Sequence, residues 1–159
     1  MSGLLGQEDA NPYVGGLLGI RGNSIYGVPI RGKLFAGEEE YFKGNPHVAG
    51  MAADDDQIVL NPYSQLNEKE MDAVMQNEAA RVHMRTGTVP PPLFSLSPEQ
   101  EQAFKGYGNN AVDRASTVAA RIFSNDPSAL NPTAEQLEYV KQLRKAMPLR
   151  GLLGAEASR

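Results

Sequence analysis

The rhythm of hydrophobic positions changes near residue 50. Before it, apolar residues come singly or in short groups set off by glycine: Leu4-Leu5, Leu17-Leu18, Ile20, Ile25-Tyr26, Val28-Pro29-Ile30 and Leu34-Phe35. Glycine at this density raises the entropy lost by any regular element, so residues 1–45 read as a Gly-rich extended arm. Within it, Glu38 to Phe42 fits a single helical turn or an acidic loop that Asn45-Pro46 ends. Further on the pattern becomes regular. Ile58-Val59-Leu60 is a β-prone run, stopped at Asn61-Pro62 because proline cannot donate to a ladder. Val48 to Ala52 is expected to pair with it across Asp54-Asp55-Asp56, giving a two-stranded ribbon that needs a helix to cover it.

That helix opens at Asn67, with Glu70 completing a capping box. At about 100° per residue, Met71, Val74, Met75 and Val82 fall on one side of it. Three more helices follow a stiff, polyproline-like connector spanning 88–97. Ser97, Pro98 and Gln100 open the first, which runs to about Lys105. Asn109 or Asn110 caps the second, which reaches Phe123 with Val112, Ala115, Val118, Ala119 and Ile122 on one face. Thr133 and Gln136 open the last, with Leu137, Val140, Leu143 and Met147 as its stripe before Pro148. The expected fold is mainly α: a small helical domain at 46–147 with a short two-stranded β-ribbon, the N-terminal arm, and a C-terminal tail at 148–159.

Composition narrows the class. A chain of 159 residues has room for one modest core. A net charge of -4 with dispersed arginines gives no bulk attraction to nucleic acid or to an anionic membrane. The absence of cysteine excludes disulfides and thiolate chemistry. No basic and apolar leader stands at the start, and no run approaches the roughly 18 apolar residues of a membrane span, so a soluble protein made in the cytoplasm is expected.

One residue breaks the apolar stripe of the central helix. Glu78 projects near its middle, with Arg81 and Arg85 nearby, and an anion pointing inward must be paired, neutralised or useful. The simplest reading is a core ion pair of Glu78 with Arg81 or Arg85 that fixes helix packing. The strand, the Asn-Pro turn and the helix bearing Asn77-Glu78-Ala79-Ala80-Arg81 are similar to the opening of a zincin metallopeptidase domain, whose helix carries His-Glu-x-x-His. Only Glu78 matches that pattern. Asn77 and Arg81 stand at the ligand positions, and arginine cannot hold zinc, so no catalytic residue, metal or cofactor is assigned. His47 and His83 read as solvated histidines, and Asp54 to Asp56 lack the ligand spacing of a calcium loop and read as a solvated turn.

Gly-Leu-Leu-Gly occurs at Gly3 to Gly6, Gly16 to Gly19 and Gly151 to Gly154, unevenly spaced and so not as a solenoid repeat. These copies read as apolar plugs, with Leu4, Leu5, Leu17, Leu18, Leu152 and Leu153 anchoring the chain to a partner. Each pair offers roughly 3 to 5 kcal/mol of apolar transfer before ordering costs. The block from Pro46 to Arg85, together with Asn125 to Arg144, resembles small uncharacterised proteins of podovirus-type tailed bacteriophages. The resemblance implies a non-enzymatic virion component, synthesised in the host cytoplasm and multimeric in an assembly, whose partners are other phage structural proteins. Two alternatives stand beside it: a degenerate zincin-like peptidase or lysis-related hydrolase using Glu78, and a host-takeover protein that binds a bacterial enzyme.

Overall fold

A computed structural model describes residues 24–148 of the protein. They begin in a sheet. Ser24–Ile25 (β1) and Val28–Arg31 (β2) form an antiparallel hairpin. Its two turn residues, Tyr26 and Gly27, have φ of 53° and 78°, the doubly positive geometry whose twist matches the flanking strands. Gly27 adopts this freely; Tyr26 does so against its Cβ. β2 then pairs in parallel with Ile58–Leu60 (β4), Ile30 opposite Ile58. Parallel neighbours need a crossover, and Ala36–Gly44 (α1) lies in it. Gly50–Ala52 (β3) closes the sheet antiparallel to β4, Met51 opposite Val59, in the order β1-β2-β4-β3.

This differs from the sequence expectation in two ways. The ribbon is half of a four-stranded sheet, and residues 24–44, assigned above to the arm, supply two strands and a helix. The reason is the alternation in Val28-Pro29-Ile30: Val28 and Ile30 are buried with Ile25, and Pro29 points to solvent. That buried face outweighs the entropy cost of the nearby glycines. The acidic run is nine residues of helix rather than one turn. Glu38 holds its start by accepting from the Phe35 N–H at 2.8 Å and from both ends of the Arg31 guanidinium at 2.8 and 2.7 Å. The Arg31 Nε donates to Asp55, at 3.2 Å.

β4 is buried on both faces. Val59 packs with Phe42 and Ala53 on the α1 side; Ile58 and Leu60 belong to the main core with Met71 and Met75. Those methionines come from the long helix Glu68–Arg85 (α2), which starts at the Asn67–Glu70 box, with reciprocal bonds of 2.8 and 2.9 Å. Three helices follow: Pro98–Ala103 (α3), Ala111–Phe123 (α4), capped by Asn110, and Ala134–Ala146 (α5). α4 lies against α2 and α5 against α4. Among the described residues, no helix is long and apolar enough to cross a membrane.

Two expected core positions point outward. Val112 and Leu137 are exposed, and Gln136 takes the inward place on α5. A buried amide is tolerable only when its bonds are made, and here they are. The Gln100 oxygen accepts from Ser97 N–H at 2.9 Å and from the Gln136 amide at 2.7 Å. The Gln136 oxygen accepts from Thr133 N–H at 3.1 Å and from the Gln100 amide at 2.9 Å. Their remaining N–H groups reach Ala129 and Ser95 carbonyls, each at 3.0 Å. Each glutamine thus closes its own capping box and clasps the other.

Gln100→Leu and Gln136→Leu should each lower the unfolding free energy by roughly 2 to 3 kcal/mol in urea titrations, from a lost cap bond and a stranded buried amide. The double variant should cost at least about 1 kcal/mol less than the sum, because the second change removes an amide already stranded. Strictly additive losses would show that the two amides do not act as one unit.

Candidate functional site

α2 faces the end of α4 across an open cleft of about 680 Å³. Ala73, Val74, Glu78 and Arg81 line it from α2; Arg121, Asn125 and Asp126 stand opposite; His47, Ala49 and Gly50 close the side next to β3. The far wall is shaped by the corner after α4. Asn125 takes a left-handed φ of 59°, which asparagine tolerates better than most residues, and Asp126 accepts from Ser128 N–H at 2.9 Å to start the 3-10 turn Pro127–Ala129.

Glu78 forms the floor. Met75, Ala79 and Val82 seat α2 in the core, and that register carries the intervening Glu78 against β3, leaving 15 % of its side chain exposed. β3 is an edge strand, so its outward N–H groups have no strand to pair with, and the carboxylate accepts from that of Ala52. Burial pushes the Glu78 carboxyl up to about 7. Opposing it are Arg81 first, then the Ala52 N–H, then the more distant Arg85 and Arg121.

Of the two partners expected for Glu78, Arg81 comes within ion-pair distance and Arg85 does not. Arg81 Nε stands 4.0 Å from the Glu78 carboxylate, the outer limit of pairing. Its guanidinium is instead committed to Asn77 at 3.2 Å and to Thr117 on α4 at 3.0 Å. Arg85 acts on Glu78 only from a distance: it donates to Asp56 at 2.8 Å and to the Ala53 carbonyl at 2.7 Å. It sits nearly two helical turns from Glu78, about 10 Å along the axis, and finds acceptors closer by. The apolar face of α2 seats the helix in the core, and the long Glu78–Arg81 pair lies beside it.

The histidines divide. His47 is exposed on the cleft rim. His83, expected in solvent, is a strut. Its Nε2 lies 2.8 Å from the Tyr26 carbonyl, which can only accept, so that nitrogen carries a proton; its Nδ1 lies 2.6 Å from the Thr88 hydroxyl. The aspartate run is a turn, as expected, but Asp55 and Asp56 are held by Arg31 and Arg85. At the zincin ligand positions, Asn77 and Arg81 bond to one another. Among the described residues, no group of three His, Asp or Glu stands close enough to hold a metal ion. Leu4, Leu5, Leu17, Leu18, Leu152 and Leu153 lie outside the described residues.

The residues that sequence reasoning left out are those of the far wall. Asn125-Asp126-Pro127-Ser128 reads only as a helix break, and nothing local in it signals that Arg121 and Asp126 face Glu78 across a cleft. Comparison with protein-family models, with curated proteins and with solved structures gives no match for this chain.

Because the folded state holds the Glu78 proton up to about pH 7 and the ordinary carboxyl releases it near 4.5, the folded chain binds the extra proton between those values. Stability is therefore fullest below about pH 4.5 for this group, falls as pH rises to 7, and is level above. Glu78→Gln should be more stable than the parent at pH 8 by up to about 3 kcal/mol, with the gap closing toward pH 5, read by thermal melts across pH. Equal stability at pH 8 would show that the carboxylate bears no burial cost.

Proposed function

We propose that this protein is a non-enzymatic docking component of a tailed-phage virion, joined to other phage structural proteins through its Gly-Leu-Leu-Gly plugs. One observation supports this reading above the others. A Cβ placed on Gly27 would lie 3.0 Å from the Pro148 ring, so the end of the described chain touches the hairpin turn that follows its beginning. Both ends of the described chain, Ser24 in the hairpin and Pro148 against its turn, therefore belong to the β1–β2 hairpin region. Two weak ligands tethered side by side bind by avidity, since the first contact makes the second effectively intramolecular. The resemblance of Pro46 to Arg85 and Asn125 to Arg144 to podovirus proteins supplies the phage setting.

A second reading draws on the cleft. A carboxyl that titrates near neutrality in an open pocket suits general acid–base work, as in a zincin-like or lysis-related hydrolase using Glu78. That reading requires a tightly held zinc ion or a hydrolytic activity lost in Glu78→Gln; purified protein with neither counts against it.

The docking reading expects the full chain in purified particles by mass spectrometry. A chain of residues 24–148 should melt within a few degrees of the full chain yet be missing from particles, as should the full chain carrying serine at 17, 18, 152 and 153. Incorporation of the 24–148 chain at the full-chain level would overturn the plug model, and particles lacking the full chain would favour a host-directed role.

A further inference from the structure

We propose that the Glu78 cleft binds a primary alkylammonium group, its nitrogen on the Glu78 carboxylate and its aliphatic stem along Leu66, Ala73 and Val74. An ionised carboxylate accepts about four hydrogen bonds. Glu78 has the Ala52 N–H and an Arg81 that stands 4.0 Å away. Glu78 lines the cleft and keeps 15 % of its side chain exposed, so the acceptor positions left over from Ala52 and Arg81 can be reached from the cleft. The floor of the cleft is short of donors.

The cations around it are already committed. Arg81 is spread between Asn77 and Thr117. Arg121 donates to Ser128 at 2.6 Å, lies 3.8 Å from Asp126, and stands 5.3 Å from the ring centres of both Phe104 and Tyr107. An entering anion would compete for engaged guanidiniums and meet Glu70 and Asp126 on the rim. A cation meets the under-engaged Glu78 at the floor, with Glu70 and Asp126, already held by Asn67, Ser128 and Arg121, adding negative charge at the rim. The wall formed by Leu66, Ala73 and Val74 takes the methylene stem that a lysine-like group must bury to place its nitrogen at the floor. The volume of about 680 Å³ is within the roughly 300 to 1,000 Å³ of small-ligand sites.

The site also couples binding to protons. Facing Glu78 are Glu70, Arg81 and Arg85 from α2, His47 from the segment before β3, Arg121 from α4 and Asp126 from the turn. An ammonium stays charged up to about pH 10, whereas Glu78 is part-protonated at neutrality, so binding should expel that proton. This site belongs to the folded domain and stands apart from the leucine plugs.

The test uses the full chain, followed by amide NMR and calorimetry, with N-acetyl-lysine methylamide, spermidine and N-acetyl-norleucine methylamide as probes. The two amines should shift the Ala52 and Glu78 amides, and the norleucine probe should not. Amine affinity should rise about tenfold from pH 6 to pH 8, following the ionised fraction of Glu78. Near pH 7, binding should release about half a proton per site. Glu78→Gln should weaken amine binding at least tenfold, and Ala73→Leu should do so by filling the wall without changing charge. His47→Gln should keep the pH dependence. Binding of either amine supports the site, and the tighter one identifies a peptide side chain or a free polyamine as the source. Equal binding of norleucine, indifference to Glu78→Gln, or tighter binding of inorganic phosphate than of either amine would overturn the proposal.

Discussion

Strand β4 imposes the constraint from which the rest follows. Ile58, Val59 and Leu60 are buried on both faces of the sheet, and each such side chain is worth roughly 1.5 to 3 kcal/mol only when covered. Covering Val59 calls for α1 and Phe42; covering Ile58 and Leu60 calls for α2 with Met71 and Met75. Once α2 is seated by those methionines, its register is fixed. Glu78 is then carried to the β3 edge, and its desolvation is a consequence of apolar packing elsewhere on the same helix. The carboxyl is strained in charge because the helix is relaxed in packing.

The opposite wall of the cleft is held by a second device. The glutamine clasp between α3 and α5 binds the Ala129 carbonyl, and Ala129 closes the 3-10 turn whose neighbours line the cleft. The next residue, Leu130, has a φ of 65° with its side chain exposed, a costly conformation for a branched residue. A turn fixed on one side by Arg121 with Ser128 and on the other by the clasp can sustain that cost. The two walls therefore have different origins: apolar register on α2, and a closed amide network behind the α4 corner.

Local chemistry was legible in the sequence. The caps at Asn67, Ser97 and Thr133 were readable because a cap and its partner lie within three residues, the cap of α4 was narrowed to Asn109 or Asn110, and Glu78 was readable because an acid on an apolar stripe has no local excuse. What failed was partner choice at a distance. The parallel pairing of Ile30 with Ile58 crosses a helix, and the glycines around β2 masked its alternation. Arg85 went to Asp56, His83 to Tyr26, and Gln136 inward to Gln100, because each was decided by a residue far away in sequence. A helical wheel cannot reveal that a buried amide has found another.

The central claim is that packing holds Glu78 as a desolvated acceptor, open toward the cleft and poorly matched by its own arginines. A carbon-detected NMR titration of the Glu78 carboxyl in the unliganded full chain tests it most directly. One transition near pH 7 is expected. A midpoint near the ordinary 4.5 would contradict it, since the carboxylate would then be hydrated or fully paired, and neither its stability cost nor the cation site would remain.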